Sequence, residues 1–382
     1  MDIKLEKIFN FQNINGIKPS EIDKLDNLYK KSDYVNLINR IKLLISSNNK
    51  NNQLYYLLGQ LYLKINDYDN SINYFKESTK IEPKSYTAFD NIGNILTTLD
   101  KYEDAKKYYQ KALSINPSYS ISHYNLGVLY NQNNENKNAY DSYQLAIKLD
   151  SKNFKAFNNL AGTLVNMGKL NQAIPYYEKA VHLNPKFYES YNNLGVVYNN
   201  LSRYEDAIKM FNKVININPN YAESYNNMGI SFDALGDYSS AIDSFKKSIS
   251  LSPALFDSYN NIGISYKAIG NLDKAIMYFK KTISINPNFY DAFINLGYTM
   301  IDNNQENESL KYFKKAVLLK PKDIKVLNII AGILFKLNKL YESKIYYNKA
   351  IDLNPNLSYL YNNLGLVYDK LEDKDKAILH YN

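Results

Sequence analysis

Asparagine recurs at a single phase of this 382-residue sequence. Asn91, Asn125, Asn159, Asn193, Asn227, Asn261, Asn295 and Asn363 fall on a 34-residue period, broken only by Leu57 at its start and Ile329 near its end. About one residue in seven is Asn, so composition alone would place one or two at ten such positions. A carboxamide both donates and accepts, so a row of them can pair with the backbone N–H and C=O of another chain whatever its sequence. The same amides can instead bond to one another inside the fold, and both readings stay open. Four residues before four of them stand Glu189, Glu223, Asp257 and Asp291. Acids there complement the dipole of a helix start; in a row they would also favour a basic partner.

Other chemistry fails on spacing. Gly162 to Gly168-Lys169-Leu170 has one residue too many for a phosphate loop, and Leu stands where Ser or Thr would hold the metal. His123, His182 and His380 are scattered, and His123 occupies an aromatic core position of the pattern described below. Without cysteine there is no thiolate nucleophile, disulfide framework or Cys-ligated zinc. No HExxH, GxSxG or paired-carboxylate motif occurs. The expectation is a non-enzyme with no cofactor and no metal.

The elements that must carry the asparagines follow from the same period. Two residues after each phase position comes Gly59, Gly93, Gly127, Ala161, Gly195, Gly229, Gly263, Gly297, Ala331 or Gly365. Twelve residues after that mark lies a small residue, as at Ala105, Ala139, Ala173, Ala207, Ala241 and Ala275. Sixteen after it lies Phe75, Tyr109, Tyr143, Tyr177, Phe211, Phe245, Phe279, Phe313, Tyr347 or Tyr381. Twenty-four after it comes Pro, with Ser151 the exception. Two stretches of about fourteen residues in each unit show helical apolar spacing, polar or Gly residues such as Gly236-Asp237 separate them, and the proline closes the unit. Since Ala replaces Gly twice, the mark needs small volume, not a left-handed backbone. It predicts the point where the two helices of a unit approach closely.

Residues 52–382 resemble the tetratricopeptide repeat family, with Tyr191, Tyr225 and Tyr259 replacing its usual Trp four residues before the glycine. The resemblance implies an all-α, right-handed superhelical solenoid of antiparallel helix pairs, whose first helices line a concave groove. It puts the asparagine series in that groove, similar to the ladder of O-linked N-acetylglucosamine transferases and their relatives. The chaperone-tail clamp of related co-chaperones needs Lys three residues before the mark. Here Tyr56, Asp90, Tyr124, Asn158, Asn192, Asn226, Asn260, Ile294, Asn328 and Asn362 stand there, which argues against that mode.

The organisation expected is an irregular tail at 1–19, a degenerate capping helix pair at 20–51 and ten repeats at 52–382, the last incomplete. Ser20 with Asp23 looks like a capping box, and Leu25, Leu37 and Ile41 replace Gly, Ala and the aromatic in the worn pair. The uncapped last repeat is expected to favour self-association. The net charge of +8 rests largely on Lys111, Lys179, Lys213, Lys247, Lys281, Lys315 and Lys349 near helix ends. Glu103, Asp104, Glu205, Asp206 and Asp273 near the starts make this dipole complementation on a solvated face. With the aromatics committed to the repeat core, nucleic acid is a poor candidate partner. No run of about 18 apolar residues marks a membrane span, the N-terminus lacks a signal-peptide core, and a cytoplasmic location is expected. The function expected is a scaffold whose groove holds an extended protein or peptide. The alternative is the substrate-recruiting arm of a glycosyltransferase or other transferase whose catalytic domain lies elsewhere.

Overall fold

The computed structural model describes residues 17–47 and 51–381, and within them every regular element is a helix. The tail expected at 1–19 lies outside the described residues up to position 16. The chain divides into two compact units, one ending at Ser190 and the other beginning at Tyr191. The first holds α1 (Pro19–Lys30), α2 (Tyr34–Ser47), α3 (Asn52–Lys64), α4 (Tyr68–Ile81), α5 (Tyr86–Thr98), α6 (Tyr102–Ile115), α7 (Ser120–Gln132), α8 (Asn136–Leu149), α9 (Phe154–Asn166) and α10 (Leu170–Leu183). The division falls within α11 (Tyr188–Asn200). The second unit continues with α12 (Tyr204–Ile217), α13 (Ala222–Ala234), α14 (Tyr238–Leu251), α15 (Phe256–Ala268), α16 (Leu272–Ile285), α17 (Tyr290–Asp302), α18 (Glu306–Leu319), α19 (Ile324–Lys336), α20 (Leu340–Leu353), α21 (Ser358–Lys370) and α22 (Lys374–Tyr381).

From α3 onward, 13-residue first helices alternate with 14-residue second helices, apart from the eight-residue α22. The turn inside each pair closes through a residue of positive φ at one phase of the repeat. Gly168, Gly236 and Gly270 serve there without strain, and Asn66, Asp100, Asn134, Ser202, Asn304, Asn338 and Glu372 adopt the same left-handed conformation. Asn and Asp tolerate it because their short side chains bond locally. In each unit first helices also touch the first helix of the next pair, as α5 does α7 and α13 does α15, so the pairs stack.

The close approach expected at the glycine mark is present. A Cβ at Gly229 would come within 2.6 Å of the Phe245 ring, and one at Gly127 within 2.5 Å of the Tyr143 ring. Tyr143 and Phe245, like Phe75, Tyr109, Phe211, Phe279 and Phe313, are seated against their glycines and buried. Where Ala161 and Ala331 replace the glycine, the next residue is Gly162 or Gly332, and the hydroxyls of Tyr177 and Tyr347 lie over it instead.

In the worn first pair Leu25, Leu37 and Ile41 are completely buried. The capping box expected at Ser20 is a correction. The helix begins at Pro19, and Lys18 at the cap offers no side-chain hydrogen bond. Proline's fixed φ and missing N–H suit the first helical position, so it starts the helix without the Ser20 hydroxyl. Arg40 ties α2 back to α1 by donating to both carboxylate oxygens of Glu21, at 2.8 and 2.6 Å.

Candidate functional site

The asparagine series sits in the first helices, two residues before the buried mark, where each amide can reach back to the preceding pair. The Asn227 amide donates to Asn192 Oδ1 at 3.3 Å, Asn261 to Asn226 Oδ1 at 3.1 Å, Asn295 to Asn260 Oδ1 at 3.1 Å and Asn363 to Asn328 Oδ1 at 3.3 Å. In the first unit Asn91 donates to the Tyr56 hydroxyl at 2.8 Å, Asn125 to both oxygens of Asp90 at 3.2 Å, and Asn159 to the Tyr124 hydroxyl at 3.3 Å. Asn193 occupies the same phase of α11 and is half-buried.

One N–H of these amides is therefore spent between repeats. The acceptor always stands three residues before the preceding mark. That second series was legible only as an argument against the chaperone-tail clamp, and its structural role was missed. Several of its members are buried, among them Asn192, Asn226 and Asn260. Their oxygens also take a buried serine hydroxyl from the next pair, Ser190 to Asn158 at 2.8 Å and Ser258 to Asn226 at 3.0 Å. A recurring Ser-x-x-Asn (Ser122 to Asn125, Ser224 to Asn227, Ser258 to Asn261) was the available signal.

The amide oxygens have a different fate. Among the described residues Oδ1 of Asn91, Asn125, Asn227, Asn261, Asn295 and Asn363 accepts no hydrogen bond, whereas that of Asn159 takes one from Asn158 at 3.1 Å. Among the described residues no buried side-chain nitrogen or oxygen lacks a partner, so the free oxygens meet solvent. Asn91 and Asn125 in the first unit, and Asn227, Asn261, Asn295 and Asn363 in the second, are thus each held by one N–H while the acceptor stays open.

Helical spacing puts two further groups on the ladder face of the second unit. Glu223, Asn227 and Ile230 stand at i, i+4 and i+7, as do Asp257, Asn261 and Ile264, and Asp291, Asn295 and Tyr298. Among the described residues none of these acids has an ion pair. Glu223 and Asp291 are exposed, and burial without a counter-charge raises the half-buried Asp257 carboxyl above its ordinary range. Glu189, half-buried in the first turn of α11, likewise has no ion pair. Ile230, Ile264 and Tyr298 are about two-fifths exposed at 39%, 38% and 41%, a row of large apolar groups in water. Its sequence signal is an apolar residue directly after the glycine marks of the second unit (Val196, Ile230, Ile264, Tyr298 and Leu366), which went unread.

Asp90 departs from the pattern. It is 3% exposed, forms no ion pair among the described residues, and accepts from Ser122 at 2.6 Å, Asn94 at 3.1 Å and Asn125. Burial pushes its carboxyl up to about 6, against the lowering effect of those donors. His123 corrects an expectation: it is half-buried at the edge of the pair, where its Nε2 lies 2.9 Å from the Pro117 carbonyl oxygen. Among the described residues no three His, Asp or Glu side chains gather as a metal site, and no helix is long and apolar enough to cross a membrane.

Family models described as tetratricopeptide repeat match residues 53–85, 91–119, 108–140, 154–187, 187–254, 256–289, 290–323, 324–357 and 346–378. No curated protein matches the sequence. Among solved structures, a tetratricopeptide repeat protein from Parabacteroides merdae is similar at 18% identity, covering 65% of this chain and 98% of that one with a TM-score of 0.50. MamA is 30% identical over 44% of this chain and 97% of its own, with a TM-score of 0.40. YrrB, described as a TPR protein with an unusual peptide-binding site, is 24% identical over 48% and 95%, with a TM-score of 0.44.

Proposed function

Because the chain belongs to the tetratricopeptide repeat family, a fold of protein-interaction scaffolds, we propose that its ladder face binds an extended segment of another protein through the asparagine amides. The observation that carries this reading is the division of labour within the amides of Asn227, Asn261 and Asn295. One N–H is bonded to the preceding repeat, which fixes the rotamer, and Oδ1 faces solvent without a partner. A preset acceptor costs little entropy to engage, and a peptide backbone N–H is the donor that every partner sequence supplies. Packed helices sit roughly 8–10 Å apart and an extended chain advances about 3.3 Å per residue, so one rung serves about every third residue. In this reading the amides act as an asparagine ladder of the kind expected from O-linked N-acetylglucosamine transferases. In the second unit the unpaired Glu223, Asp257 and Asp291 and the exposed Ile230, Ile264 and Tyr298 would add a preference for basic and apolar side chains.

The test uses a peptide recovered from a random-sequence display library on the full chain. Replacing Asn227, Asn261 and Asn295 together by Ala removes three ladder amides and three inter-repeat bonds. Replacing Asn192, Asn226 and Asn260 by Ala breaks the same inter-repeat bonds but leaves the ladder amides in place. At about 0.5–1.5 kcal/mol for each neutral bond, the ladder triple is expected to weaken binding roughly tenfold to a thousandfold. The inner triple is expected to lower thermal stability with a much smaller loss of affinity. Equal losses from both triples would remove the ladder's direct role.

A further inference from the structure

The outer helices of the first unit enclose a cleft that the ladder does not use. It lies between α4 and α6, over the buried Ile92 and Leu96 of α5, and has a volume of about 670 Å³. Asp69, Ile72 and Lys76 follow one face of α4 at i, i+3 and i+7. Lys101, Asp104, Lys107, Tyr108 and Lys111 form the opposing wall. Ile92 and Leu96 are turned about 100° and 140° around α5 from Asn91, so the cleft and the ladder use different faces of the same helix.

The wall is apolar below and basic above. Ile72 and Tyr108 are half-buried over the floor, and the charged residues are exposed at the rim. Of the four lysines, Lys107 is paired with Asp104 at 2.8 Å. Lys76, Lys101 and Lys111 have no ion pair among the described residues. Four lysines against two aspartates leave a net charge of +2. The volume is within the roughly 300–1,000 Å³ usual for ligand clefts.

We propose that this cleft is a second docking site, which takes an acidic peptide segment carrying large apolar side chains. The spread of the lysines selects a peptide over a single-headed amphiphile. Lys101 caps the start of α6 and Lys111 stands ten residues further on, about 15 Å at the helical rise. A lone headgroup meets one end of that rim, whereas carboxylates distributed along a chain meet both. Apolar side chains between the acids fill the space over Ile72, Ile92, Leu96 and Tyr108. The site is opposite in charge preference to the unpaired acids of the second unit's ladder face, so one scaffold holds two partners without confusing them.

The test is methyl NMR on the full chain with labelled isoleucine, titrated with the acetylated peptide Glu-Glu-Leu-Phe-Glu-Glu. Shifts are expected at Ile72 and Ile92 and not at Ile230 or Ile264. Lys76→Glu combined with Lys111→Glu, both at exposed positions, should weaken binding at least tenfold. Salt raised from about 0.05 to 0.5 M should weaken it several-fold. A peptide with Lys for each Glu, or Ala for Leu and Phe, should leave Ile72 and Ile92 unmoved. No shift at millimolar peptide overturns the proposal, as does a double variant that binds like the wild type. It is equally overturned if Ile72 and Ile92 respond to dodecanoate but not to the peptide, or to protein concentration alone, because the occupant would then be a lipid or a second copy.

Discussion

Replacing Asp90 by Asn should stabilise the α5–α7 region at neutral pH and remove a pH dependence that the wild type carries. Asp90 is the one acid in a series otherwise filled by Asn, Tyr and Ile, and it is almost fully buried with no cation paired to it among the described residues. Its folded-state carboxyl is pushed up to about 6, from a reference of 3.8. The protonated form is thus favoured in the fold. That contribution is fully present below about pH 4 and is lost as pH rises through about 6. A difference of about two pKa units corresponds to about 3 kcal/mol of ionisation penalty above pH 7. Asn keeps the shape and an oxygen for Ser122 and Asn125, the arrangement that Asn226 makes with Ser258 and Asn261. Its N–H would face the Asn94 amide, which has to turn its oxygen inward, and the Tyr109 hydroxyl can then accept in place of donating. Because repeat arrays need not unfold in one step, native-state hydrogen exchange of α5 and α7 amides is the suitable assay. Asp90→Asn should match the wild type near pH 4 and exceed it by up to about 3 kcal/mol at pH 7. A variant no more stable at pH 7 than at pH 4, relative to wild type, would refute the burial argument.

Gly229→Ala drives a Cβ to 2.6 Å from the Phe245 ring, so it should cost about 1–3 kcal/mol. Gly162→Ala meets nothing closer than 3.5 Å and should be neutral or up to about 1 kcal/mol stabilising; thermal melts of the pair check both. Ser202 holds a φ of 58° that glycine adopts freely, so Ser202→Gly should raise stability by roughly 1 kcal/mol in a chemical melt. If the unpaired acids of the second unit steer its partner, changing Glu223 to Gln and Asp257 and Asp291 to Asn should flatten the salt dependence of binding a basic peptide. An unchanged salt profile would leave those acids to the helix dipole alone.

The 34-residue period determined the architecture without coordinates. A glycine that accepts only alanine, an aromatic sixteen residues on and a proline between the pairs, Ser151 apart, can be met together by repeated helix pairs, because each unit buries its apolar face only against its neighbours. The same period also exposed the asparagine series. It could not show where each carboxamide spends its N–H and its oxygen, because that depends on which residue of the preceding pair's first helix lies within 3.3 Å, a distance set by packing across 35 positions of chain. The tertiary structure decided that the donor at Asn227 goes inward to Asn192 while the acceptor stays in water. Burial of Asp90 was equally invisible, since an acid among asparagines reads as an ordinary polar variant until its helix is packed against α7. Ile230, Ile264 and Tyr298 read as core by type, and only the stacking of pairs leaves them facing solvent. Composition and period act along the chain and so can be read from it. Solvent exposure and the choice of hydrogen-bond partner arise where distant segments meet, and there the structure alone is informative.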